Sequence, residues 1–188
     1  MKTEYYHTTE SVAEYIQAAK GFDGKALIEK LKKVLPEKAT VLEIGSGPGK
    51  DWEILSNTFT VTGSDNSDAF LNYLKQQHPA GEFINVDASK LIIDKTFDGI
   101  YSNKVMHHLK DDELERSIKR QLDILNPNGI ICHSFWKGEG SEIFKGFVNY
   151  HDESSLNTAF TNHFDIIYLE SYAEFEENDS LLLIAKKK

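Results

Sequence analysis

Cysteine is almost absent. Cys132 is the single cysteine in 188 residues, which excludes an intramolecular disulfide and a cysteine-built zinc site. It lies in the apolar run Gly129-Ile130-Ile131-Cys132, where a buried, inert thiol is the expectation. Positive charge is also scarce. Lys and Arg number 21 against 30 Asp and Glu, a formal net charge of -9. Such a balance argues against a nucleic-acid partner, whose phosphates draw affinity from clustered basic residues. No apolar run approaches the roughly 20 residues that a membrane-spanning helix needs. The stretch Met1 to His7 is polar and aromatic, without the apolar centre of a signal peptide. A cytoplasmic chain with no membrane partner, monomeric or homodimeric, is the expectation.

What is present reads as an ordinary globular domain, 40% hydrophobic and 27% charged. Its length suits one domain, 1–188, large enough to bury a core unaided. Short runs rich in Val, Ile and Phe alternate with stretches of helical period, which predicts an α/β architecture. Two helices, about Thr9–Lys20 and Gly24–Leu35, precede a first strand at Thr40–Ile44. A helix follows around Asp51–Asn57, then a strand at Phe59–Gly63. The next helix opens near Ser67 or Asp68, and strands follow at Glu82–Val86 and Phe97–Tyr101. Asp111 or Asp112 is expected to cap a helix that carries Leu114, Ile118, Leu122 and Leu125 on one face. The turn Asn126-Pro127-Asn128-Gly129 then leads into a strand at Ile130–Trp136. Two helical stretches are expected between Gly140 and about Asn162. Strands near Phe164–Ser171 and Ser180–Ala185 close the chain, with no clear helix between them. An antiparallel pair at the edge of a mostly parallel sheet accounts for that ending.

The segment Val41-Leu42-Glu43-Ile44-Gly45-Ser46-Gly47-Pro48-Gly49 is strand, glycine turn and helix start in sequence. Gly45 and Gly47 permit a tight turn and close approach of backbone to a ligand. Open α/β sheets bind ligands at the carboxyl ends of their strands, where the chain order reverses. Asp65 ends the second strand, placed to accept hydrogen bonds from ribose hydroxyls. A dinucleotide fingerprint requires glycine at position 50, where this chain has Lys50. A nicotinamide oxidoreductase is therefore disfavoured.

With Glu43 before the turn, Gly49 within it and Asp65 after it, these residues resemble the first motifs of the class I S-adenosylmethionine-dependent methyltransferases. The resemblance continues through most of the chain. Phe83-Ile84-Asn85-Val86-Asp87-Ala88 is similar to that family's adenine-side segment, and Phe97-Asp98-Gly99-Ile100-Tyr101-Ser102-Asn103 to its fourth strand. Leu125-Asn126-Pro127-Asn128-Gly129 resembles its turn before the fifth strand, departing from it at Asn128. Asp51, together with Ser134-Phe135-Trp136-Lys137-Gly138-Glu139-Gly140, resembles a group of small prokaryotic methyltransferases, many of unassigned substrate. The resemblance implies a three-layer, Rossmann-like fold with a seven-stranded sheet. It implies S-adenosylmethionine as methyl donor and S-adenosylhomocysteine as product. The cofactor-binding residues it implies are Tyr15, Glu43, Gly45, Ser46, Gly47, Gly49, Asp65, Asn66, Asp87, Ala88, Ser102 and Asn103. Residues 1–36 would form a helical lid, with Tyr5, Tyr6 or Tyr15 covering the cofactor.

Methyl transfer is an in-line displacement that positioning and water exclusion can accelerate without an obligatory base. His107 is the candidate catalytic base, with packing as the competing reading; His108 is assigned to packing. Adjacent histidines without spaced carboxylates do not make a metal site. Asp87 is either an adenine ligand or the cap of the following turn. A small-molecule methyl acceptor is the expected partner. Methylation of tRNA or protein, and a binding module without turnover, are the alternatives.

Overall fold

The computed structural model describes Tyr6 and residues 8–188; Tyr5 lies outside the described residues. In chain order the elements are α1 (Thr9–Ala18), α2 (Lys25–Leu31), β1 (Thr40–Ile44), α3 (Lys50–Ser56), β2 (Thr60–Asp65), α4 (Asp68–Gln77), β3 (Glu82–Asn85) and β4 (Phe97–Asn103). A short 3-10 turn at Met106–His108 is followed by α5 (Asp111–Ile124), β5 (Leu125–Trp136), β6 (Ser141–Ile143), β7 (Phe147–Asn149), α6 (Glu153–Phe160), β8 (Phe164–Tyr172) and β9 (Ser180–Lys187). Seven strands form one sheet in the order β3-β2-β1-β4-β5-β9-β8. The pairings from β3 to β5 are parallel, and β9 runs antiparallel to both β5 and β8.

The central strands are apolar on both faces because both are covered. In β9, Leu181, Leu183 and Ala185 join the core under α5 and α6, which includes Leu114, Ile118, Leu156 and Phe160. The alternate residues Leu182 and Ile184 join the opposite core with Leu27, Ile28 and Leu31 of α2 and Leu55 of α3. Two cores on opposite faces make the three layers that the sequence predicts. After β1 the chain moves out to β2 and β3, then crosses back to β4 on the other side of β1. That reversal opens a crevice at the carboxyl ends of β1 and β4.

Three local expectations need correction. Lys110 is the N-cap of α5, not Asp111 or Asp112, which with Glu113 lie in the first turn where acidic residues complement the helix dipole. The Asn126–Gly129 turn lies inside β5 as an irregularity between the Phe97–Leu125 and Gly99–Ile130 pairings. Asn128 takes φ 64 there. The first of the two helical stretches expected after Gly140 is a hairpin, β6 paired with β7. Its turn uses positive φ at Lys145 and Gly146, and its tip exposes Ile143 and Phe144. Among the described residues no helix is long and apolar enough to cross a membrane.

Leu183 is fully buried at the centre of β9, opposite His133 on one side and Leu169 on the other. Leu183→Ala should lower unfolding stability by about 2–5 kcal/mol in urea titration, the usual cost of a core cavity. A loss well below ~1 kcal/mol would contradict this placement of the strand.

Candidate active site

The glycine turn after β1 is held from both sides. Ser46 donates its backbone N–H to the Ser64 carbonyl (2.8 Å) and its hydroxyl to Glu43 Oε2 (2.6 Å), and it accepts the Ser64 N–H (3.1 Å). The Asp65 carboxylate accepts N–H bonds from Gly47 (3.0 Å) and Ser67 (2.9 Å). Gly45 has φ 72, and a Cβ there would lie 2.5 Å from a Val105 methyl, so both conformation and space require glycine. Gly49 has φ 84 and caps α3.

Beneath the turn lies a cluster of acids. Asp51 Oδ1 accepts the Gly24 N–H (2.6 Å), and its Oδ2 accepts the Tyr101 hydroxyl (2.6 Å) and Asn103 Nδ2 (3.0 Å). Three donors satisfy this carboxylate and tie the start of α2 to the end of β4. Glu43 has only the Ser46 hydroxyl. Burial, with the Asp51 and Asp65 charges adding to it, pushes the Glu43 carboxyl up to about 8. At neutral pH it is therefore mostly protonated.

Two adjoining cavities fill the crevice. The first, about 470 Å³, is lined by Asp65, Asn66, Asp87 and Ala88, with Tyr15 and Phe70 above. The second, about 380 Å³, lies over Glu43, Ser46 and Asp51 and continues to Lys104, His107 and Trp136. Gly45, Gly47, Asn103 and Lys104 line both. Tyr15 on α1 packs edge-on against Phe70 (5.7 Å) and Tyr6 (5.5 Å). A Cβ on Gly47 would meet only Tyr15 Cε1, at 3.9 Å. That is ordinary van der Waals distance, so the tyrosine ring stands directly over the glycine backbone.

The other residues singled out in the sequence fall into two groups. Asp87 lines the first cavity but also caps the turn behind it, accepting the Ser89 N–H (2.9 Å) and hydroxyl (2.6 Å). These bonds show the capping reading of Asp87. Ser102 and Gly49 line neither cavity. Ser102 is fully buried and its hydroxyl lies 2.8 Å from His133 Nδ1. His133 Nε2 is 2.8 Å from Gln121 Oε1, Gln121 Nε2 donates to Ser117 Oγ (3.4 Å), and Ser117 donates to the Ala88 carbonyl (2.7 Å). Burial holds His133 near a pKa of about 3, so it is neutral and its Nε2–H faces the amide oxygen. This chain of four side chains runs from the floor of the crevice to Ala88. No local pattern announces it, since Gln121 and Ser117 occupy ordinary helix positions. Of residues 1–36, α2 is part of a core, and α1 is the segment that carries Tyr15 over the crevice.

His107 is 2% exposed, and its Nδ1 has no partner among the described residues. Burial, and then the neighbours His108, Lys104 and His151, hold it well below the ordinary histidine range. His108 Nδ1 lies 2.8 Å from the Phe147 carbonyl. Lys104, which the sequence reading passed over, directly follows β4 in a left-handed conformation, φ 53. Its N–H bonds Ser134 Oγ (2.9 Å), and its Nζ sits 3.8 Å from the Trp136 ring centroid. A lysine just past a site strand was the available signal.

Residues 41–129 match the family described as "Methyltransferase domain". Over that stretch, just under half of its length, the chain is similar to methyltransferase domains. It is 36% identical over 102 residues to trans-aconitate 2-methyltransferase of Variovorax paradoxus, covering 52% of this chain and 39% of that protein. The chain thus spans about two fifths of that curated relative's length. A methyltransferase structure from Methanosarcina mazei superposes with TM-score 0.75 at 20% identity, covering 84% of this chain and 96% of the other. An S-adenosylmethionine-bound amino pentose methyltransferase of Micromonospora echinaspora superposes with TM-score 0.76 at 16% identity, covering 94% and 97%. The fold is that of these methyltransferase structures.

The raised Glu43 pKa carries a consequence for stability. Folding favours the protonated acid, so its contribution is complete below the usual carboxylate value near 4.5 and is lost as pH rises towards about 8. Glu43→Gln removes this titration. The melting temperature of the variant minus that of the wild type should increase between pH 5 and pH 8. A difference that stays flat across that window would contradict a buried, protonated Glu43.

Proposed function

We propose that this chain transfers the methyl group of S-adenosylmethionine to a small-molecule acceptor. The observation that carries the reading is the second cavity, about 380 Å³ and continuous with the first at Gly45, Gly47, Asn103 and Lys104. Its size falls within the range of small-ligand sites. Its outer wall is aromatic, from Phe22, Trp136, Phe144 and Phe175. The curated relative named for trans-aconitate and the structural neighbour named for an amino pentose are both compatible with such an acceptor. The formal net charge of -9 disfavours tRNA.

In this reading the first cavity takes the adenosine end of the donor. Asp65 accepts from the ribose with Asn66 beside it, and Asp87 and Ala88 face the adenine. Gly45 and Gly47 allow the methionine end to approach the backbone, over Glu43 and Ser46. Tyr15 covers it, α1 serving as lid, and Asn103 marks the passage between the cavities. When bound, the donor supplies a methyl group activated by a sulfonium. The chain's part is to exclude water and align an acceptor. Ser102 and Gly49 support the site from behind.

Calorimetry decides the donor. S-adenosylmethionine and S-adenosylhomocysteine should bind, and tighter binding of NAD would overturn the proposal. Asp65→Ala should weaken adenosyl binding by more than ~1 kcal/mol through loss of charge-assisted hydrogen bonds. Unchanged affinity would remove Asp65 from the site. Release of S-adenosylhomocysteine from a fractionated metabolite pool identifies the acceptor.

A further inference from the structure

We infer that the acceptor is a small carboxylic acid with an apolar body, anchored by Lys104 and methylated on a carboxylate oxygen. The inference rests on the methyltransferase reading and names the substrate class of the same site.

The first observation is a cation without a counter-ion. Lys104 Nζ donates to the Phe135 carbonyl (3.0 Å) and to Ser180 Oγ (2.6 Å), both neutral. An ammonium has three hydrogens to donate; these acceptors take two, and the Trp136 ring face, 3.8 Å from Nζ, lies beside it without supplying an anion. No ion pair among the described residues includes Lys104. Glu174 and Asp179 face it from the β8–β9 loop. The Asp179 carboxylate is committed to the N–H groups of Glu174, Phe175 and Glu176 and to the Ser180 hydroxyl. Glu174 stands on the rim of the second cavity. Burial lowers the Lys104 ammonium to about 8 against the pull of these two acids, as expected where no anion is in contact. A buried charge of this kind is costly unless paired, and the cavity it lines is where a pairing anion fits.

The second observation is His107, buried on the same cavity with Nδ1 unpartnered. An imidazole kept neutral by burial and flanked by Lys104, His108 and His151 has little capacity to take up a proton. It retains one N–H to donate. The other polar groups lining this cavity from below are occupied: Glu43 by Ser46, and Asp51 by Gly24, Tyr101 and Asn103. An alcohol or ammonium acceptor must lose a proton during methylation, and the carboxylates left to receive it are Asp23, which accepts the Lys25 N–H, and Glu174 on the rim. A carboxylate, with its pKa near 4, arrives already ionised.

The chemistry then balances without a base. A carboxylate oxygen forms the new C–O bond to the methyl carbon as the C–S bond of the donor's methylsulfonium breaks. That electron pair remains on sulfur. Anion and sulfonium become a neutral methyl ester and a neutral thioether, and no proton moves. The aromatic residues Phe22, Trp136, Phe144 and Phe175 cover the body of the acid.

The test uses the full chain saturated with S-adenosylhomocysteine. A panel of aryl and alkyl carboxylates is titrated beside the matched primary amides. Acids from the panel should bind about tenfold or more tighter than their amides, the size of a charge-assisted hydrogen bond. Lys104→Met should abolish that preference, Lys104→Arg should keep it, and Glu174→Gln should enhance it by removing a competing charge. Glu174 lines the second cavity alone, so Glu174→Gln should shift S-adenosylhomocysteine affinity no more than about twofold, and Lys104→Met should lose acid affinity well beyond any change in S-adenosylhomocysteine affinity. In turnover with S-adenosylmethionine, acids should yield methyl esters and matched phenols and amines should not. A panel without any acid preference overturns the inference, as does turnover confined to phenols or amines. An equal loss of S-adenosylhomocysteine affinity in Lys104→Met assigns the cation to the donor's own carboxylate and also overturns it. Failure to bind S-adenosylhomocysteine at all defeats the methyltransferase reading instead, so the two failures are distinguishable.

Discussion

The carboxylate of Asp51 is the constraint on which the crevice depends. It sits on α3 directly after the glycine turn, and it collects the backbone N–H that opens α2, the Tyr101 hydroxyl and the Asn103 amide. Among the described residues no cation pairs with it; Lys50, its neighbour in sequence, turns outward to Glu53. Hydrogen bonds to a charged acceptor contribute more than neutral ones, and removing one partner leaves a buried group unsatisfied. Burial first, and then the Asp51 and Asp65 carboxylates beside it, drive the neighbouring Glu43 towards its neutral form. The floor of the crevice is thus rigid by hydrogen bonding and carries less negative charge than its residue types suggest.

The roof is built differently. Its parts are α1, the β6–β7 tip and the β8–β9 loop. They meet through the edge contact of Phe22 with Phe175 (4.8 Å) and the pair Lys145–Glu14 at 3.8 Å, besides the tyrosine ring contacts above Phe70. Exposed ion pairs of that length contribute little, and regions with few buried contacts open at low free energy. A fixed floor under a loosely held roof lets a ligand enter without disturbing the groups that align it. The chain from Ser102 through His133, Gln121 and Ser117 to Ala88 extends the fixed part across the sheet. With every member partnered, such a network adds rigidity and not a desolvation penalty.

Much of this was legible in the sequence because it rests on local or periodic signals. Gly45 and Gly49 announce backbone at positive φ, Asp65 follows at the end of the next strand, and the alternating apolar runs predict the layers and the antiparallel edge. The hairpin at Ser141–Asn149 was not legible. Its strands are three residues each, and its turn depends on Lys145 adopting φ 50, a conformation that lysine does not advertise. The roles of Gln121, Ser117 and His133 were hidden for another reason: their partners lie 12 to 31 positions away in sequence. Lys104 combined both difficulties, with unusual backbone and contacts on β5 and β9. Ser102 was misplaced because a strand end has two faces, and pattern alone does not say which one meets the crevice.

The distribution of charge along the crevice has a consequence on the proposed reading. Asp65 lines the cavity proposed for the donor's adenosine end, Asp51 and the titratable Glu43 lie under the passage to the second cavity, and Lys104 stands on the wall that both share. The donor and its product differ by one positive charge, carried on sulfur and lost on transfer. An acidic floor in a partly desolvated site attracts the sulfonium more strongly than the thioether. The same field repels an anionic acceptor from the donor pocket and leaves Lys104 as its place of lowest energy. Charge separation over a short distance therefore orders two ligands of opposite sign and weakens the hold on both once they have neutralised each other. No moving part is needed for that asymmetry; it follows from which acids are satisfied, which one is protonated, and where the half-buried Lys104 stands.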